Sequence, residues 1–483
     1  MGEIQNTLIS LNFNRSVKVE ARRERLTGDA GAVLLRELMG QLSIDEYLTE
    51  RLEDPRDQQV ITHPHVELIR TLLLLMSQGW RDLTDADALR HDPVFRLAVS
   101  ERRSDAPLRT PPQKALIADG LASQATLSRL LQALSSPENL AVLAAAVAET
   151  ATRRVGATNG GPLEHATIDI DSVGMEVHGQ QDGSVYNAHF GWRAYHPILA
   201  SVAETGDLLA ARLREGNVHT ADGAPGFILD VIDRVEGSYA ESVSVRIDAG
   251  FPNETLLSGL EERDIPYVCR IRRNAVLERM GEPLVVRPPG RPPNEPRTWL
   301  HELTYKAGSW SRPRRVVLVV QERPGELFLH TFFLLSSWST EQVPADELLE
   351  LYRRRGKAEK HFGELVNIVN PALSSTNRTK SIYKGKEPQH RAEPCDPFAV
   401  NEVRLLLGAL AYNLMHAGRA LLETITGSGW SLKRFLQQVL KVPARVLLHG
   451  RQITVVINEL AAHHWYRLLA RIQQLRAPPY CLA

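Results

Sequence analysis

Over the first 155 residues, apolar side chains recur at helical spacing in Ala32 to Leu42, His65 to Gln78, Ala115 to Leu134 and Pro137 to Thr152. That periodicity predicts an all-helical amino-terminal domain. A Gly-rich stretch at 156–161 marks a break, and from Ala166 to Val202 the pattern turns extended. Alternation in Ile168 to Asp171, the β-favouring Val185 to Phe190, and Ile198 to Val202 predict three strands with short links. Ala224 to Val235 reads as a helix, Val243 to Asp248 as a buried strand, Asn253 to Arg263 as a helix and Tyr267 to Ile271 as a strand. This is an α/β order.

Prolines 283, 288, 289, 292, 293 and 296 then exclude a regular helix or central strand from 282–297. Trp299 to Lys306, Arg315 to Gln321 and Leu327 to Leu335 predict a β meander inserted into the core. Helical spacing resumes at Ala345, and Phe398 to Leu422 and Leu432 to Leu475 read as mostly helical.

At 483 residues the chain exceeds the usual size of a single core, and 43% hydrophobic with 24% charged residues describes an ordinary globular protein. A net charge of zero excludes a uniformly basic coat, so any nucleic-acid contact must rest on local clusters such as Arg353-Arg354-Arg355 and the 378–391 segment. Cys269, Cys395 and Cys481 are widely separated and contain no CxxC pair, which supports neither a disulfide framework nor a zinc module. Residues 1–14 lack the pattern of an export signal, and the apolar run Leu72 to Met76 is too short to span a bilayer. A cytoplasmic protein with no membrane role is expected.

Acidic residues in three settings carry the candidate chemistry. In the strand Thr167-Ile168-Asp169-Ile170-Asp171, both aspartates point to one face and the isoleucines to the other. Either aspartate reaches that face; Asp171, at the strand end, is the preferred ligand, with Asp169 its neighbour. Asp248 closes the apolar strand Val243 to Ile247 before a sharp Ala249-Gly250-Phe251 exit, and ligand sites gather at such carboxyl ends. Tyr352, Arg355 and Glu359 follow i, i+3, i+7 spacing, which places a phenol, a phosphate-binding guanidinium and a carboxylate on one helical face. Alone, each acid reads equally as a strand terminator, a helix cap or an ion-pair partner. Together, Asp171, Asp248 and Glu359 form an oxygen donor set for two hard divalent cations. Near the amino terminus, a polar entry before Leu127 leads into a helix exposing Gln124, Ser128 and Arg129, suited to a major groove or simply to a solvent-exposed bundle face.

The Tyr352, Arg355, Glu359 spacing resembles the signature of DDE-type bacterial insertion-sequence transposases. The Asp171 context, Arg246-Ile247-Asp248-Ala249-Gly250-Phe251, Asn401 to Leu414, Asp54-Pro55-Arg56 and Leu89-Arg90-His91-Asp92-Pro93 are similar to them as well. In that signature a Lys usually follows the Glu by seven residues, and here the position holds Val366. The resemblance implies an α/β, ribonuclease H-like mixed sheet with a β-rich insertion and helical regions at both ends. It divides the chain into a helical DNA-binding domain (1–160), a catalytic core in two parts (161–275 and 336–395), a β-rich insertion (276–335) and a helical carboxy-terminal region (396–483). The 77 residues from Asp171 to Asp248 and the 111 from Asp248 to Glu359 leave room for these parts.

The function so implied is binding of insertion-element ends, phosphodiester cleavage and joining of 3′-hydroxyl ends to target DNA, with Mg²⁺, or Mn²⁺ in its place, held by Asp171, Asp248 and Glu359. Arg355 and Tyr352 would contact the strand. Lys357, Arg378, Lys380, Lys384, Lys386 and Arg391 would grip phosphate from what reads as a loop, and Trp299 or Trp310 would hold a flipped base. Terminal inverted repeats, target DNA and a second protomer in a synaptic complex are the implied partners. A transposase-derived DNA-binding protein without catalysis, or a metal-dependent nuclease with no mobile-element role, is the alternative.

Overall fold

The computed structural model describes residues 9–20, 24–111, 117–179, 181–188, 190–291, 293–375, 380–384, 387–391, 396–450 and 452–475. Its centre is an eight-stranded mixed sheet. In chain order the strands are β1 (Leu163–Ser172), β2 (Ile198–Val202), β3 (Leu208–Arg212), β4 (Ala240–Ile247), β5 (Tyr267–Ile271), β6 (Arg297–Tyr305), β7 (Arg314–Glu322) and β8 (His330–Ser336). Their spatial order is β6-β7-β8-β5-β4-β1-β2-β3. β1, β4 and β5 run parallel, while β2 is antiparallel to β1 and β3 to β2. The β3-β2-β1-β4-β5 order with β2 reversed is the ribonuclease H-like arrangement.

β8 joins the sheet antiparallel to β5, and β7 and β6 follow outward. The predicted meander therefore extends the main sheet beyond β5. β3 escaped the sequence reading because Leu-Leu-Ala-Ala-Arg has neither β-branched residues nor alternation; it is a strand because it pairs with β2 at the sheet edge and is buried by α1 (Pro137–Asn159) and the helix Pro397–Thr426.

The sheet sorts its side chains by strand alternation. Ile168, Ile170, Val243, Val245 and Ile247 enter one core with Phe227, Ile228 and Val231 of α2 (Ala224–Val235) and Leu256, Leu257 and Leu260 of α3 (Glu254–Glu261). Burial of each such side chain contributes about 1.5–3 kcal/mol, so slipping β1 or β4 by one residue would be prohibitive. The same alternation sends Asp169, Asp171 and Arg246 to the opposite face.

That opposite face is covered by α4 (Ala345–Arg353) and α5 (Gly356–Glu364), and by the long α6 (Pro397–Thr426). α6 is long and apolar enough to cross a membrane by length and composition, but 94% of its most apolar window is buried within the fold. It is the central helix of a core shared with the amino-terminal helices.

Several sequence expectations change. The helix expected over Ala115 to Leu134 begins only at Gln124, where the Ser123 hydroxyl accepts from the Thr126 amide. The helix from Pro137 continues through the expected glycine break to Asn159, and Gly160 ends it at φ 81°. The region 432–475 is mostly helical as expected but not throughout, because β9 (Ala444–His449) and β10 (Gln452–Ile457) form a hairpin there and β9 pairs with Leu26–Thr27. The alternation Ile453, Val455, Ile457 marks that strand at a period of two.

Candidate functional site: an acidic edge bridged by one arginine

Because β1 and β4 are parallel neighbours with Asp169 opposite Arg246 and Ile170 opposite Ile247, their carboxyl ends reach the same edge. Asp171 lies at the end of β1, where one carboxylate oxygen accepts the Ser172 amide at 2.8 Å. Asp248 follows directly on β4. The chain then turns, the Phe251 amide bonding the Asp248 carbonyl at 3.3 Å, and the Phe251 ring is fully buried. A Cβ at Gly250 would meet the Thr220 side chain at 2.8 Å, so a larger residue in the turn beside Asp248 would have to displace that side chain.

The third element differs from expectation. Tyr352, Arg355 and Glu359 do not share one continuous helix: α4 ends at Arg353 and Arg355 caps α5. Between them the amides of Arg355, Lys357 and Ala358 bond the carbonyls of Tyr352, Arg354 and Arg355, a tightened turn of i to i+3 bonds. Three consecutive arginines repel one another, and Gly356 is about 1 kcal/mol poorer in a helix than alanine, which is why the helix gives way here.

The break turns Arg355 toward the sheet. Its guanidinium contacts Asp171 at 2.7 Å through one terminal nitrogen and stands 3.8 Å from Glu359 through the other. The Tyr352 hydroxyl reaches an Asp248 oxygen at 3.4 Å. Asp171 and Arg355 are largely shielded, whereas the Glu359 side chain is 68% exposed.

Burial raises the Asp171 pKa, and the charges of Asp248 and Glu359 raise it further; Arg355 and the Ser172 amide oppose them without prevailing. Burial also works against the Arg355 charge, but Asp171 and Asp248 outweigh it and raise the arginine's pKa. The Tyr352 phenol is pushed up to about 12, by burial and then by Asp248. Asp171 thus stands between the positive charge of Arg355 and the negative charges of Asp248 and Glu359.

The all-oxygen donor set of the three carboxylates suits a hard divalent cation, and a cation among them would offset the carboxylate charges that, after burial, raise the Asp171 pKa. As they stand, no three His, Cys, Asp or Glu side chains among the described residues are close enough together to hold a metal ion. Arg355 bridges where such a group would need to close.

The remaining candidates fall elsewhere. Lys357 is exposed in the first turn of α5. Lys380 and Lys384 begin and end a strand that pairs with Glu387–Arg391, so a hairpin replaces the expected loop; Arg378 and Lys386 lie outside the described residues. Trp299 and Trp310 pack half-buried on the core beneath β6 and β7, Trp310 edge-on to Tyr305 and under the Arg314 guanidinium. Ser128 is half-buried and Arg129 exposed on the helix Gln124–Ala133, where Arg129 contacts Thr126 at 3.4 Å. Val366 lies in a π-helical turn, packed on the main helical core, an apolar setting that a lysine head group would not share. Of the cysteines, Cys269 is buried and free, and Cys395 and Cys481 lie outside the described residues.

The sequence reading missed the partner of Asp169. Arg246 clamps it with two bonds, of 2.6 and 2.7 Å, and donates a third to the Leu351 carbonyl at 2.5 Å. The signal was present as opposite charges two residues before Asp171 and Asp248 on strands read as buried.

The ribonuclease H-like sheet thus carries Asp171 and Asp248 at the ends of its first and fourth strands, with the Tyr352-Arg355-Glu359 segment laid across them. A family model described as "Transposase DDE domain group 1" matches residues 9–477, and the chain belongs to that family. No curated protein matches it. Among solved structures, a cryo-EM structure of the piggyBac transposase synaptic complex with hairpin DNA matches at 12% identity and TM-score 0.39. That match covers 86% of this chain and 81% of the other.

Proposed function

We propose that this transposase binds the ends of an insertion element, cleaves phosphodiester bonds there and joins the freed 3′-hydroxyls to target DNA, using Asp171, Asp248 and Glu359 as ligands for two Mg²⁺ ions. The observation that carries the reading is the gathering of these side chains at one edge of the sheet, with Arg355 2.7 Å from Asp171 and 3.8 Å from Glu359 and the Tyr352 hydroxyl 3.4 Å from Asp248. Mg²⁺ bound there, or Mn²⁺, would lower the pKa of the attacking water or hydroxyl and stabilise the leaving oxygen.

The chain's own groups do the rest. Arg355 releases Asp171 and pairs with the phosphate instead, exchanging one oxyanion partner for another. Tyr352, whose phenol stays protonated far above neutral pH, donates a hydrogen bond to hold the strand beside Asp248. Glu359, exposed and at the start of α5, has the freedom to close on the site as Arg355 leaves. Phosphate contacts farther out are assigned to Lys357, Arg378, Lys380, Lys384 and Lys386, end recognition to the amino-terminal helices with Ser128 and Arg129, and base stacking to Trp299 or Trp310. A homodimer joins two ends in the synaptic complex, in the cytoplasm.

One observation favours a second reading. With Val366 packed in the core and Arg355 closed on Asp171, a DNA-binding descendant that no longer cuts would look the same. Incubating the protein with a fragment carrying the flanking element ends, with Mg²⁺ and then with EDTA, separates the two: nicks that require metal support transposition chemistry, and end binding without nicks supports the descendant.

A further inference from the structure

A deeply buried charged contact lies directly beneath the candidate site. Asp169 and Arg246 are 1% and 2% exposed, and they are register partners on adjacent parallel strands. Each stands two residues before a candidate ligand, so strand geometry places the pair one rung below Asp171 and Asp248 on the same face. The two bonds between them tie β1 to β4 through side chains, and that sets the two carboxyl ends level.

The third bond of Arg246 goes to a different element. The Leu351 carbonyl that it holds at 2.5 Å belongs to the last turn of α4, next in sequence to Tyr352. A guanidinium that makes three bonds in fixed directions therefore joins β1 and β4, which lead to Asp171 and Asp248, to α4, which carries Tyr352. Beyond this hook α4 breaks, and Arg355 and Glu359 follow.

We propose that Arg246, clamped by Asp169, is a positioning residue that sets the height of the Tyr352-Arg355-Glu359 segment above Asp171 and Asp248, the arrangement from which these acids close on a divalent cation. This rests on the metal site proposed above. Arg246→Lys keeps the charge but loses the fork and the hook. The double variant Asp169→Leu with Arg246→Met replaces the pair by apolar side chains of similar size, which usually preserves folding.

The test measures Mn²⁺ binding to the whole protein without DNA, by the electron spin resonance of free Mn²⁺, beside the thermal denaturation midpoint and hydrogen exchange over 345–356. Expected is Mn²⁺ affinity weakened about tenfold in whichever variant folds, with faster exchange of that segment while the rest of the sheet stays protected. Folded variants that bind Mn²⁺ as tightly as the parent would overturn the positioning role. So would failure of both variants to fold, since the pair would then be a determinant of folding as a whole. If the parent itself binds no Mn²⁺, the metal site is the idea that fails, before either variant is compared.

Discussion

Arg355 lies 2.7 Å from Asp171, which sets the side chain suited to a DNA phosphate against the carboxylate suited to a metal. This contact pairs a largely shielded acid of the site with a cation. It also makes the arginine's two contributions, to charge balance and to substrate, separable by experiment.

Arg355→Ala should therefore move two measurements in opposite directions. Without the guanidinium, the repulsion around Asp171 is relieved only by a bound cation, so Mn²⁺ affinity should rise by roughly tenfold, about 1.4 kcal/mol. Strand cleavage should fall about 10²–10³-fold, the usual cost of removing one preorganised donor to a reacting oxyanion. Equilibrium Mn²⁺ titration and single-turnover nicking read the two. A parallel loss of both would mean that Arg355 holds the carboxylates together instead of competing for them.

Basic residues away from the site should act through counterion release. For each phosphate that Lys357, Lys380 or Lys384 no longer neutralises, the slope of log affinity against log salt for element-end DNA should shrink by about 0.9. Base preference should not change. Titrations at several salt concentrations with the triple alanine variant give the slope, and one equal to the parent's would remove these lysines from the DNA path.

Stability should fall on mild acidification because of a buried histidine. His416 on α6 is 2% exposed, accepts from Arg419 at 2.6 Å, stacks on Tyr412 and faces His361 edge-on. Burial drives its pKa far below the ordinary value; Asp207 opposes this, and Arg419, Arg154 and His361 reinforce it. The unfolded chain takes up the proton near pH 6.5 and the folded chain does not, so the stabilisation is complete above that pH and is lost as pH falls below it. The slope is up to about 1.4 kcal/mol per pH unit for one such group. Denaturant melts of His416→Gln between pH 7 and 5 should show a flatter dependence, and slopes matching the parent's would place the sensitivity elsewhere.

The sheet and the site were unequally legible. Ile168, Ile170, Val245 and Ile247 alternate with polar residues, so their strands and the face bearing Asp171 could be read directly. Leu208–Arg212 could not, because only its tertiary neighbours make it a strand. The ends of β1 and β4 located two acids, but the i, i+3, i+7 rule assumed an unbroken helix, and the repulsive Arg353-Arg354-Arg355 run before Gly356 was not weighed against it. Strand pairing is not visible in one chain, so the Asp169–Arg246 contact and the hook to Leu351 emerged only once β1 and β4 were seen side by side.

The most direct measurement is nicking of a duplex that carries the flanking element ends, comparing the parent with Asp248→Asn, which keeps the shape of the side chain and removes its charge. The expected result is Mg²⁺-dependent, EDTA-sensitive cleavage at the element boundary by the parent, and cleavage reduced to background in the variant while end binding is retained. Undiminished metal-dependent cleavage by Asp248→Asn would contradict the assignment of this acidic edge as the place where DNA is cut.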